Sequence, residues 1–327
     1  MKKLLIILLS IQILSAQQNV LYYSLLSSVV SPPTPPTPTT PPPTAYNRVN
    51  AIVQDNSGNM WFGTYVGVLK FDGTNWTTYN TGNSGLLSDV VYGIAKDYLG
   101  NIWFSTINGI NEYNGSWITY DSGTYFQSVG KVDNYMWFGL GKYLWMYRYD
   151  GSKFELYNTS ELGSGVNSIT NANYLIWCTT YNGIFSLTKS TDINNVVKQS
   201  YSSGGLASNQ CFTIEIDNSG NVWVGTLDNY ISVYNGSTWT QKGNTSFGCS
   251  NIRYIKKDAS GNMWVATYGA GVYKTSDGGS TWTNYTTTDG LAYNEVRAIY
   301  QDVSGNMWFG TSGGISKFNG TTWVNYH

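Results

Sequence analysis

Seven tryptophans at near-regular intervals, most preceded by the same acidic turn and all set among short alternating segments, predict an all-β chain folded as a seven-bladed β-propeller with four antiparallel strands per blade. The tryptophans are Trp61, Trp103, Trp137, Trp177, Trp223, Trp264 and Trp308, spaced by 42, 34, 40, 46, 41 and 44 residues. The shared unit reads as an alternating segment, then Asp, a short Ser-Gly-containing turn, Asn, any residue, Trp, and Gly-Thr. Asp55-Asn-Ser-Gly-Asn-Met-Trp61-Phe-Gly-Thr64 and Asp302-Val-Ser-Gly-Asn-Met-Trp308-Phe-Gly-Thr311 show it in full. The predicted propeller spans residues 47–327.

Taken in chain order, residues 1–16 read as a signal peptide. Lys2 and Lys3 precede an apolar stretch from Leu4 to Leu14 and the small residues Ser15 and Ala16, and the apolar part is too short to span a bilayer. An uncleaved anchor is the alternative. The reading places the protein outside the cytoplasm: periplasmic, cell-surface or secreted. Residues 17–31 include the apolar, β-prone run from Val20 to Val30. Residues 32–44 hold all eight prolines, spaced by threonines, as in a semi-rigid polyproline II spacer. An apolar segment ahead of such a spacer can dock on a sheet edge, its own or a neighbour's. A partner on the membrane, or a second copy of the chain, could therefore attach through residues 17–44. The competing reading is a leftover of the export region.

Within each unit, period-two alternation marks strands with one buried face. Asp-x-Ser-Gly suits a type I turn ending in a left-handed glycine, with the carboxylate capping backbone donors. Asn-Gly or Asp-Gly between alternating runs marks a hairpin. Phe71-Asp72-Gly73-Thr-Asn-Trp76-Thr-Thr-Tyr79 and Phe318-Asn319-Gly320-Thr-Thr-Trp323-Val-Asn-Tyr326 are examples. A linear solenoid needs polar capping repeats, whereas both end units here match the consensus best, so the ring is expected to close. The last unit has its own outer strand, and no strand exchange is needed. One tryptophan per unit at a fixed place implies packing between blades.

Composition excludes several functions. With 18 basic and 19 acidic residues the net charge is −1, which rules out binding nucleic acid by bulk phosphate neutralisation. Aromatic residues make up 16%, enough apolar area for a core despite only 11% charged residues. The one histidine is His327, which removes triads, histidine metal sites and imidazole acid–base chemistry. Cys178 follows a core tryptophan and reads as a small buried hydrophobe, while Cys211 and Cys249 could pair between units in an oxidising compartment. The repeated turns lack the oxygen ladder of a calcium loop. No metal, cofactor or enzymatic activity is expected.

The unit resembles the two-component regulator propeller repeat, the module of periplasmic sensing domains of hybrid histidine kinases. The resemblance covers Asn47 to His327 and includes the connections Gly85-Leu86, Gly205-Leu206 and Gly290-Leu291. Blades 3 and 4 depart from it, with Asp133 displaced towards Trp137 and Asn171 in place of the acid before Trp177. It implies sensing of extracytoplasmic glycans or other small ligands. The kinase, membrane helix and sandwich domain that usually follow do not, so any signal would pass through a separate protein. Thr275-Ser-Asp277-Gly-Gly279-Ser-Thr281-Trp282 is similar to the Asp-box of sialidases, an outer-rim turn. Streptogramin lyases are also seven-bladed, but that resemblance implies a catalytic histidine that no internal position supplies.

In a propeller of this order the second-to-third-strand turn and the blade-to-blade connection share one face. The residue four past each core tryptophan should then stand near the channel mouth, which brings Tyr65, Tyr181 and Tyr268 around an opening with Asn108, Asn182 and Asp228 beside them. Blade 3 adds Lys142, Tyr143 and Trp145, an insertion relative to the repeat. Aromatic faces and amides in this setting suit a glycan or peptide ligand. The rival expectation is a structural or surface-assembly protein attached through its N-terminal segment.

Overall fold

The four alternating segments of each unit form one antiparallel sheet. Residues 22–23, 28–30, 48–142, 145–158, 165–172, 175–188, 199–200, 205–228, 230–243, 247–248 and 251–327 are described by the structure, a computed structural model. The signal peptide, the 32–44 spacer, Tyr143 and Cys249 lie outside the described residues. In blade 1 the strands are Val49–Gln54, Met60–Thr64, Gly67–Phe71 and Trp76–Tyr79, hydrogen-bonded in that order from the axis outwards. Six further sheets repeat the order, the last running from Val296–Gln301 to Trp323–Tyr326, and no α-helix occurs among the described residues. Blade 7 therefore closes on blade 1 by packing, without exchanging a strand. Val49, Ile52 and Phe62 share a core cluster with Ala298, Trp308 and Ile315. The Val303 backbone N–H donates to Gln54 Oε1 at 2.8 Å across the same seam.

Every core tryptophan is at most 2% exposed and bridges one blade to the next. Trp61 packs with Ile94 and Phe104 of blade 2, Trp223 with Ile255 and Met263 of blade 6, and Trp264 with Ile299 and Phe309 of blade 7. Truncating such a ring costs about 3–5 kcal/mol, so these contacts dominate cohesion between blades.

The acidic turn anchors the indole. Asp217 Oδ1 accepts from the backbone N–H of Ser219 and Asn221, both at 2.9 Å, while Oδ2 accepts from Asn221 Nδ2 at 2.8 Å and Trp223 Nε1 at 2.9 Å. Asp55, Asp97, Asp258 and Asp302 hold Trp61, Trp103, Trp264 and Trp308 in the same way. Farther along, the threonine three past the tryptophan clamps the following turn, as in Thr64 Oγ1 to the Gly67 carbonyl at 2.8 Å. Gly67 sits at φ +118, where a Cβ would also fall 2.2 Å from the Tyr79 carbonyl oxygen, so no other residue fits. The Gly of Gly-Thr lets the next inner strand approach: a Cβ on Gly310 would lie 2.6 Å from Val49 Cγ1 at the closing seam.

Blade 3 lacks the acidic clasp. Asp133 turns at φ 54, and no acceptor among the described residues meets Trp137 Nε1. Instead the Arg148 guanidinium stands 4.6 Å from the Tyr135 ring centroid and 6.0 Å from that of Trp137, and pairs with buried Glu155 through Nε at 3.0 Å. Residues 22–23 add to the edge of the same blade, Tyr22 opposite Glu155 and Tyr23 opposite Phe154. Ser28–Val30 adds to blade 2, opposite Trp117, Ile118 and Thr119. Both pairings are with outer blade edges of the same chain. Cys178 is fully buried beside Met146, and Cys211 is a buried free thiol whose pKa burial pushes up to about 12. At the rim of blade 6, Asp277 Oδ1 accepts from the backbone N–H of Ser280 and Thr281, both at 2.9 Å, as the outer-rim turn reading requires.

For Asp55 and Asp217, burial is the largest influence and raises the pKa, but the indole, amide and backbone donors together outweigh it and leave the value below the ordinary 3.8. Their stabilisation is therefore full above about pH 4 and is lost as pH falls through the lowered folded value. Asp217→Ala is expected to cost about 2–3 kcal/mol in denaturant unfolding at neutral pH, because a buried indole N–H is orphaned with the turn. The gap between the variant and the natural protein should narrow in acid. A constant gap down to pH 2 would show that the clasp acts through packing alone.

Candidate functional site

Each inner strand slips register by one residue just after it starts. The shifts fall between Val49 and Ala51, Val91 and Gly93, Phe126 and Ser128, Val166 and Ser168, Cys211 and Thr213, Ile252 and Tyr254, and Val296 and Ala298. The residues left over are Asn50, Tyr92, Gln127, Asn167, Phe212, Arg253 and Arg297. A bulge re-aims the side chain it carries, and all seven line one central cavity of about 440 Å³. Tyr65, Tyr125 and Tyr181 join them. Tyr181 is 42% exposed, so the cavity opens to solvent on the face shared by the blade-to-blade connections.

The cavity wall is unequal around the ring. On blades 1 to 3 the rings of Tyr65, Tyr92 and Tyr125 follow one another at centroid distances of 6.0 and 5.2 Å, with the Arg48 guanidinium 4.7 Å from the Tyr65 ring. Burial raises the phenol pKa of both Tyr92 and Tyr125, which keeps their hydroxyls protonated as donors. On blades 3 and 4, Gln127 Nε2 donates to Asn167 Oδ1 and, at 3.0 Å, to Tyr181 Oη. Asn50 and Asn167 are pinned by donating to the carbonyls of Val91 and Cys211 on the next blade, at 2.9 and 2.7 Å. Blades 6 and 7 supply the charge. Arg297 Nη2 pairs with Glu295 Oε1 at 2.5 Å, while Arg253 lies between the rings of Phe212 and Tyr268, 4.8 and 5.0 Å from their centroids.

Of the residues expected at the mouth, Tyr65 and Tyr181 line the cavity, and Tyr268 covers Arg253 without lining it. Asn108, Lys142, Trp145, Asn182 and Asp228 do not line it. Asn108 Nδ2 reaches only the Leu87 carbonyl at 3.4 Å, and Asn182 is held through its backbone N–H by Thr180 Oγ1. Lys142 and Asp228 face solvent. Trp145 opens the third strand of blade 3, two strands out from the axis, and packs against the core beneath it. The bulge ring was missed because strict alternation assigns its residues to a blade face. Its signal was readable all the same: a polar or aromatic residue directly after the first apolar residue of each inner strand.

Residues 45–66, 85–108, 205–228, 246–269 and 290–313 match the two-component regulator propeller model. These five stretches are similar to that repeat. The matched stretches lie on blades 1, 2, 5, 6 and 7, the five whose aspartate clasps the tryptophan. No curated protein matches the sequence. Among solved structures, the extracellular domain of a one-component system from B. thetaiotaomicron is similar at TM-score 0.70 and 20% identity, over 85% of this chain and 39% of that one. A catalytically inactive histidine-to-alanine variant of virginiamycin B lyase from Staphylococcus aureus, with quinupristin, gives TM-score 0.69 and 16% identity over 90% and 99%. PorZ, a surface component of the type-IX secretion system of Porphyromonas gingivalis, gives 0.68 and 16% over 86% and 48%. The chain thus spans less than half of the one-component-system and secretion-system structures it resembles, and at these identities the likeness is one of fold.

Tyr125→Phe should leave the absorbance change of tyrosine ionisation between pH 9 and 11 unaltered, because the raised pKa keeps Tyr125 protonated through that window. Loss of one tyrosinate's worth of signal would show that its hydroxyl is not buried.

Proposed function

We propose that this chain is an extracytoplasmic, non-enzymatic binding propeller that takes a glycan or peptide in its central cavity, as the sensing component of a signalling system. The observation that carries the reading is the bulge ring: seven inner strands each deliver one side chain into the same solvent-open cavity. Its size falls in the range of small-molecule sites, roughly 300–1,000 Å³. The lining offers aromatic faces, amides and guanidinium groups, and it includes no carboxylate, imidazole or thiol to serve as acid, base or nucleophile. The S. aureus lyase variant lost activity with one histidine. Here the sole histidine, His327, sits at the chain end with Nδ1 2.9 Å from the Gly313 carbonyl oxygen. That the B. thetaiotaomicron neighbour is an extracellular domain of a one-component system supports the proposed location and signalling role.

A second reading, attachment or self-assembly through residues 17–44, is favoured by the pairing of Tyr22–Tyr23 and Ser28–Val30 with outer blade edges. Those edges of another copy would accept the same strands. Light scattering on the mature protein and on a version starting at Ala45 separates the two. The sensing reading expects monomers in both cases, whereas oligomers of the longer form alone would favour assembly.

The binding site itself is tested with a glycan and peptide array followed by calorimetry on the strongest hit. Tyr65→Ala combined with Tyr181→Ala is expected to weaken that hit at least tenfold, about 1.4 kcal/mol, with little change in Tm. Undiminished affinity in the folded double variant would exclude the cavity.

A further inference from the structure

Of the two arginines in the cavity, only one is neutralised. Arg297 has Glu295 at 2.5 Å, and the buried Arg148 elsewhere in the ring has Glu155. Arg253 has no carboxylate partner among the described residues, and its Nε–H is buried without an acceptor. Arg253 is part-buried on a cavity open to solvent, and a cation drawn partly out of water without a counter-charge is disfavoured. Burial first, and Arg297 beside it second, both work against the charge on Arg253, while Glu295 only partly offsets them. The rings of Phe212 and Tyr268 fix the guanidinium in place without supplying an anion. A planar fork held rigid and lacking a partner is matched to a carboxylate, which accepts two parallel N–H bonds. No acidic residue lines the cavity to compete for it.

We infer that the cavity binds a sugar carrying a carboxylate, a hexuronate, with the acid group on Arg253 and the ring against the tyrosine arc of blades 1 to 3. This inference rests on the binding reading above and specifies its ligand class. The opposite wall favours a sugar over an acidic peptide. Tyr65, Tyr92 and Tyr125 line that wall in succession, the first two edge-to-face at 74° and the second two tilted at 48°, and together give the apolar aromatic surface against which a pyranose packs. The pinned amides of Asn50, Gln127 and Asn167 are donors and acceptors suited to ring hydroxyls. Arg297 is neutralised by Glu295 and leaves the bidentate role to Arg253.

The test is calorimetric titration of the intact protein with D-glucuronate and D-galacturonate oligosaccharides, with glucuronamide and neutral glucose oligosaccharides as the isosteric and uncharged controls, and with an acidic dipeptide. The expected result is binding of a uronate at least tenfold tighter than its amide or neutral counterpart, weakening as salt rises from 50 to 500 mM. Arg253→Gln should abolish that preference, Arg253→Lys should restore part of it, and Arg48→Gln should leave it intact. The amide control tests the carboxylate on the unaltered protein, so the inference does not depend on an arginine variant folding. Equal affinity for acidic and neutral sugars would overturn the carboxylate inference while leaving the binding cavity standing. Binding of the dipeptide alone would overturn the sugar class. Failure of every uronate while a neutral glycan from the array binds in a Tyr65- and Tyr181-dependent manner would also overturn it. If no probe in either series binds, both this inference and the binding reading fall.

Discussion

A carboxylate on five of the seven blades, bonded at once to its own turn and to the indole of the core tryptophan, is the contact on which the ring is organised. It fixes the tryptophan's rotation, and the tryptophan in turn is the surface against which the next blade packs. Asp217 spends all its accepting capacity on Ser219, Asn221 and Trp223, leaving nothing for a ligand or a metal. The energetic weight lies with the ring, about 3–5 kcal/mol against about 2–3 for the clasp. The clasp decides orientation, and orientation decides whether seven blades of slightly different length meet at the same angle. Blade 3 shows what stands in its place: a buried Arg148–Glu155 pair among three aromatic rings, with Arg148 directly across the ladder from Trp137 on the same face of the sheet.

The same repeat separates structure from recognition at single-residue resolution. Aspartate, tryptophan and the threonine clamp recur because each satisfies a fixed geometric need. The bulged residue is free of such needs, since the register shift takes it out of the ladder and points it at the axis. It is Asn, Tyr, Gln, Asn, Phe, Arg and Arg around the ring. A scaffold with near-sevenfold symmetry thereby carries a cavity with no symmetry at all, and it does so without altering a core contact.

The fold was legible because its determinants are local and repeated. Turn chemistry, alternation and one tryptophan per unit suffice to specify blade count, strand count and closure without exchange. The cavity was legible only in part. Tyr65 and Tyr181 follow from counting past the tryptophan to the end of its strand, a count that is independent of blade angle. Asn108, Asn182 and Asp228 lie one residue farther, where the turn already leads outwards, and Trp145 belongs to a strand that starts away from the axis. Arg253 and Arg297 were invisible as a pair because their roles differ only through Glu295, a partner that sequence spacing does not rank above any other acid. The run from Val20 to Val30 was read as able to dock on an edge, but composition does not say whose edge, and the pairing with blades 2 and 3 comes from the fold.

Asymmetry in the cavity has a consequence for how binding could be felt elsewhere in the ring. A ligand spanning from the tyrosines of blades 1 to 3 to the guanidinium of blade 6 would bridge sheets that otherwise touch only through their neighbours. Rigid blades joined by apolar seams tilt more readily than they deform, because the cost of sliding one aromatic contact is small beside that of breaking a ladder. Blade 3 borders this span, and its tryptophan lacks the acidic clasp that the other bordering blades possess. The seam least constrained in orientation therefore adjoins the wall against which a bound ring would press, and an N-terminal strand lies on the outer edge of that same blade. A displacement there would be carried to Tyr22–Tyr23, which pair with Glu155 and Phe154 of that blade.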